Sequence, residues 1–73
     1  MKIILDEVKN ILKSQNYLEY DKIYSEMLKA CKTGEIIEII DKNNKIITTL
    51  HNMEEMEYYH KKLIQVHGIY GYF

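Results

Sequence analysis

The sequence predicts an α+β domain in the order helix, helix, β-hairpin, helix, with a short C-terminal strand as a further element. Three observations carry that expectation. Apolar residues recur at helical spacing in the first 32 residues and again after residue 52. Residues 36–50 are instead dense in isoleucine on either side of Lys42-Asn43-Asn44. Capping residues and glycines fall where these patterns change.

Residues 3–14 read as the first helix. Ile4, Val8, Ile11 and Leu12, with Leu5 beside them, form one stripe at i, i+4, i+7, i+8 spacing. Asp6 and Glu7 near its start and Lys13 near its end suit the helix dipole. Ser14-Gln15-Asn16 makes a short break. Asn16 then caps a second helix, with Glu19 at capping-box spacing. Tyr20, Tyr24, Met27, Leu28 and Cys31 supply its apolar face, widened by Ile23, and Thr33-Gly34 ends it. So short a link predicts an antiparallel helical hairpin.

Glu35 to Asp41 packs four isoleucines into seven residues, and β-branched content favours strand. Lys42-Asn43-Asn44 reads as the turn, because Asn tolerates positive φ, and Lys45 to Leu50 is the return strand. A three-residue loop sets Asp41 opposite Lys45, Ile40 opposite Ile46, Ile39 opposite Ile47 and Ile36 opposite Leu50. A two-residue loop would instead set Lys42 against Lys45, a like-charge pair. In the preferred register one face carries Ile36, Ile40, Ile46 and Leu50, and the other carries Ile37, Ile39 and Ile47. A hairpin with one wet side should alternate apolar and polar residues. This one is apolar on both.

Asn52 caps the last helix, with Glu55 in capping-box position and Glu54 in the first turn. Met53, Met56, Tyr59, Leu63 and Val66 form its apolar face, Glu57 and Lys61 make a favourable i, i+4 pair, and Gly68 ends it. The aromatic tail Ile69-Tyr70-Gly71-Tyr72-Phe73 can add a strand, cross the core or bind a partner.

Seventy-three residues, 47% hydrophobic and 29% charged, make a single domain, 1–73, near the lower limit for a self-sufficient core. One cysteine, Cys31, allows neither an internal disulfide nor a cysteine zinc cage, so self-association is the remaining staple for so small a fold. The apolar run Ile3-Ile4-Leu5 is far too short for a signal peptide and no stretch approaches a membrane span, so a cytoplasmic location is expected. All ten basic residues are lysine and the formal charge is −1, so neither the arginine fork nor overall charge attracts nucleic acid.

His51, His60 and His67 are the residues to test for chemistry. His60 and His67 share a helix face but sit about 10 Å apart along it, and Glu57-x-x-His60 occurs once where carboxylate-bridged metals need it twice. No metal or cofactor is expected. Cys31 falls on an apolar stripe, and no nucleophile has an activating base beside it in sequence. A nuclease-type site built from a His and Tyr pair is the enzyme reading to test first. The preferred reading is a non-enzymatic protein-binding module, a homodimer that acts as a small inhibitor or adaptor of the mobile-element kind. Ile37, Ile39, Ile47, Tyr70, Tyr72 and Phe73 are its expected contacts. The alternative is a winged-helix-like DNA-binding regulator using Lys22, Lys29 and Lys32 of the second helix and Lys42 and Lys45 at the hairpin tip.

Overall fold

Lys2–Ile4 form a strand, β1, where helical spacing alone predicts the first turn of a helix. The computed structural model describes residues 1–67, His67 by its backbone only. The expected C-terminal strand, with Tyr70, Tyr72 and Phe73, lies outside the described residues. After β1 come α1 (Leu5–Lys13), α2 (Tyr17–Lys32), β2 (Ile37–Ile40), β3 (Ile46–Leu50) and α3 (Met53–His67). The class is α+β as expected, but the third strand comes from the front of the chain. β2 is central: it pairs parallel with β1 and antiparallel with β3. Ile3 and Ile4 lie opposite Ile39 and Ile40. β-Branched residues next to a ready partner strand prefer the ladder to a helical turn.

The helix ends follow local chemistry. The Asn16 side chain accepts the Glu19 N–H at 3.3 Å, and Asn52 accepts the Glu55 N–H at 2.9 Å. Each satisfies one of the free donors at a helix start. Both α1 and α2 close in the two-bond pattern of a Schellman turn. Asn16 N–H reaches the Ile11 carbonyl and Gln15 N–H the Leu12 carbonyl; Glu35 and Gly34 repeat this on Ala30 and Cys31. The left-handed residue is Gly34 in one (φ 83°) but Gln15 in the other (φ 59°). A side chain at that φ costs roughly 1–2 kcal/mol. Gln15→Gly is therefore expected to raise stability by up to about 1 kcal/mol after glycine's extra unfolded-state entropy, read as an upward shift of the thermal midpoint.

The hairpin turn forms as the like-charge argument requires. Asp41 N–H donates to the Lys45 carbonyl at 2.9 Å. The Asp41 carboxylate accepts from the Asn43 and Lys45 amides at 2.8 and 2.9 Å, and Asn44 takes the positive φ of 68°. Ile40 lies opposite Ile46 as expected. Beyond that pair the register slips by one: Ile39 faces Thr48, and Ile37 faces Leu50, leaving Ile47 as an extra residue in a bulge. A slip of one residue exchanges the faces of a strand.

That exchange decides the core. Ile37, Ile39 and Leu50 join Met27 and Ala30 of α2 and Met56 of α3 in one buried cluster. A second cluster unites Val8 and Leu12 of α1, Tyr20 of α2 and Leu63 of α3. Ile3, Leu5, Tyr24 and Tyr59 touch both clusters and join them. Ile40, flanked in the sheet by Ile4 and Ile46, is buried too. Each helix thus lays one stripe on the sheet or on its neighbours, as amphipathic spacing requires.

Candidate functional site

The bulge re-sorts the residues expected to meet a partner. Ile37 and Ile39, placed by the unbulged register on an outer face, are 0% and 1% exposed and belong to the core. They cannot touch a partner while the domain is folded. Ile47 is 49% exposed and its neighbour Ile46 57% exposed. The register pairs Glu38 with Thr49 on the face opposite Ile37, Ile39 and Leu50, so that face carries polar residues beside its isoleucines. Among the expected contacts that the structure describes, Ile47 alone is available.

β3 is an edge strand: β2 pairs one side of it, and no strand among the described residues pairs the other. An unpaired edge presents a row of backbone donors and acceptors to any extended chain. Beside this edge runs a groove of about 690 Å³ whose walls are β3, from Ile47 to Leu50, and α3. The α3 wall is built from Glu54, Glu55, Tyr58, Tyr59 and Lys62. Glu54, Tyr58 and Lys62 stand at i, i+4, i+8, one stripe of the helix. Tyr58 is 65% exposed, and the Lys62 ammonium lies 5.4 Å from its ring centre. Of the seven large apolar residues exposed among the described residues, Ile46, Ile47, Met53, Tyr58 and Val66 belong to β3 or α3. The outliers are Leu18 and Ile36.

One end of the groove is fixed by the cap of α3. The Glu55 carboxylate accepts the His51 backbone N–H at 2.9 Å and lies 3.2 Å from His51 Nδ1. Those hydrogen bonds hold the Glu55 carboxyl below its ordinary range. The sequence places Glu55 in capping-box position on Asn52; it reaches one residue further back. His51 is thus a capping partner at the β3–α3 joint.

His60 lies away from the grooves, in the seam between α2 and α3. Its Nδ1 is 2.7 Å from the Tyr20 hydroxyl, and its ring stacks on Tyr24 with centroids 4.1 Å apart. Burial pushes the Tyr20 phenol up and the His60 imidazole down, each toward its neutral form, with Asp21 and Glu57 opposing the His60 shift. The neutral pair needs Tyr20 O–H donating to an unprotonated Nδ1. A nucleophilic phenol would need the opposite shift. The geometry makes this a bond between helices. Because the folded chain takes up the His60 proton less readily than the unfolded chain, stability is complete above the ordinary histidine value of 6.5 and falls as pH drops below it. Urea midpoints measured above and below that pH should show the loss, and His60→Asn should remove this part of it while leaving the part due to Glu55.

The lysines of the DNA-binding alternative are all exposed. Lys29 and Lys32 lie in the last turn of α2, which leads into the start of β2, whereas Lys42 and Lys45 flank the turn at its far end. A four-residue strand, roughly 13 Å long, separates the two groups. Lys29 also stands 4.0 Å from Glu26. Lys29 and Lys32 thus stand at one end of β2, and Lys42 and Lys45 at the other.

Cys31 packs in the α2–α3 seam, its Sγ 3.7 Å from the Met56 sulfur. Among the described residues no group of three or more His, Cys, Asp or Glu could hold a metal ion, and no helix is long and apolar enough to cross a membrane. No protein-family model, curated protein or solved structure matches the chain. The reading of its function therefore rests on the surface just described.

Proposed function

We propose that the chain is a non-enzymatic protein-interaction module that self-associates through β3 and the groove beside it. The observation that carries this reading is the edge of β3, which no strand among the described residues pairs, with Ile46 and Ile47 exposed on it and the exposed Tyr58 lining the groove beside it. An edge strand with exposed isoleucines is an association surface unless something covers it. Strand addition at such an edge takes its affinity from backbone hydrogen bonds and its specificity from side-chain pockets alongside. The β3–α3 groove supplies both walls that this mode needs. An open edge also gives the small core a route to extra stability, because binding to the folded state alone shifts the folding equilibrium. The same edge gives an inhibitor or adaptor its means of capturing a strand of another protein.

Light scattering across a micromolar concentration series tests the reading. A mass that rises toward twice 8.8 kDa supports it. A mass fixed at 8.8 kDa throughout overturns it.

A further inference from the structure

Self-association through β3 leaves open how the two copies meet, and the α3 wall of the groove carries that information. We infer that two copies dock about a single twofold axis, β3 antiparallel to its twin about Thr48, with α3 crossing its twin about Tyr58. This rests on the self-association proposed above and assigns its geometry.

The argument starts from symmetry. Two identical edges joined by a closed twofold make an isologous interface, so the surface must complement itself. An antiparallel join with the axis normal to the sheet keeps the helices of both copies on one side of a continuous sheet. A parallel join would put them on opposite sides, and α3 would meet nothing. In the antiparallel join the two copies of α3 lie side by side over the new seam, running in opposite directions.

The charges then select the centre. Along the exposed stripe of α3, Glu54 stands four residues before Tyr58 and Lys62 four residues after it. A twofold at Tyr58 therefore sets each Glu54 opposite the partner's Lys62, twice over. A centre at Glu54 would set glutamate against glutamate, and one at Lys62 would set lysine against lysine. Like charges across an interface suppress the wrong register. The two tyrosines meet at the axis, where an exposed aromatic ring contributes most area.

β3 fits the same axis. Thr48 is its middle residue and lines the groove along with Tyr58. Centred there, Ile46 falls opposite the partner's Leu50 and Ile47 opposite the partner's Thr49. Ile47, the residue left out by the bulge, thereby gains a neighbour across the seam. Six strands replace two exposed three-stranded sheets, and one edge of each copy is no longer free.

Charge reversal tests this docking on the full chain. Glu54 and Lys62 are exposed and outside the core, so Glu54→Lys and Lys62→Glu should each keep the helical CD signal of the parent. Alone, each variant should dimerise at least about tenfold more weakly than the parent, since both of its cross-axis pairs become repulsive. Mixed in equal amounts, they should recover the parent's affinity as a heterodimer, because one copy then brings lysine at both positions and the other glutamate at both. A parent that dimerises while both variants dimerise equally well would overturn the docking and leave self-association standing. Variants that stay monomeric after mixing would also overturn it. A monomeric parent would overturn self-association and the docking together.

Discussion

Replacing Ile39 with Asp is expected to leave the chain unfolded, with the helical far-UV CD signal lost at ordinary temperature. Ile39 is 1% exposed, lies on the central strand between Ile3 and Thr48, and packs in the cluster that holds α2 and α3 to the sheet. The buried residues of that cluster, Met27, Ala30, Ile37, Leu50 and Met56, offer no polar side chain to receive a carboxylate. An unpaired buried charge costs roughly 4 kcal/mol or more. A core of this size rarely supplies more than about 3–5 kcal/mol in total. The unbulged register gives the opposite expectation, a folded chain with weakened association, so this one substitution distinguishes the two arrangements. A folded Ile39→Asp chain would mean that the bulge is misplaced.

Ile47→Asp should do what Ile39→Asp cannot. Its side chain is half exposed and sits in the bulge, so the monomer loses little. In the proposed pair, however, two copies of the substitution fall next to the twofold axis, each setting a carboxylate against a closely packed strand. Central contacts of an interface cost about 2 kcal/mol or more when removed. Dimerisation should therefore weaken by on the order of a hundredfold. Light scattering reads the mass and CD reads the fold. Unchanged association would place the interface elsewhere, on the face carrying Ile36 or outside the described residues.

Local chemistry was readable from the sequence wherever one residue type sets one backbone feature. Asn16 and Asn52 mark the starts of α2 and α3, Gly34 marks the end of α2, and the Asp41–Lys45 pair fixes the turn. Two features were not readable, for different reasons. Ile3 and Ile4 continue the helical spacing of Leu5, Val8 and Leu12, and nothing near them in sequence reveals a parallel partner more than thirty residues away. Tertiary pairing there overrides a local pattern. The bulge at Ile47 carries no glycine or other local mark, since its residue is as suited to a regular strand as its neighbours. It is set by what the helices can bury: with Leu50 turned inward beside Ile37, the core closes around Met56.

The candidate site was legible in part. That the hairpin holds more isoleucine than one face can bury is readable in the sequence, but which isoleucines stay outside depends on the bulge. The α3 wall is harder to read, because Glu54, Tyr58 and Lys62 lie outside the apolar stripe of Met53, Met56, Tyr59, Leu63 and Val66. Glu54, Tyr58 and Lys62 stand at regular helical spacing in the sequence, with a charge of each sign at the ends and an aromatic residue between. Symmetry of that kind gains meaning once the strand beside it is known to be an edge.

Hydrogen exchange of the β3 backbone amides, followed residue by residue as the chain is concentrated, addresses the outer edge itself. Amides of Ile46–Leu50 that β2 leaves unbonded should exchange quickly in dilute solution and become protected as copies pair, in step with the rise in mass. Outer-edge amides that exchange quickly at every concentration would contradict a strand-to-strand pairing at β3.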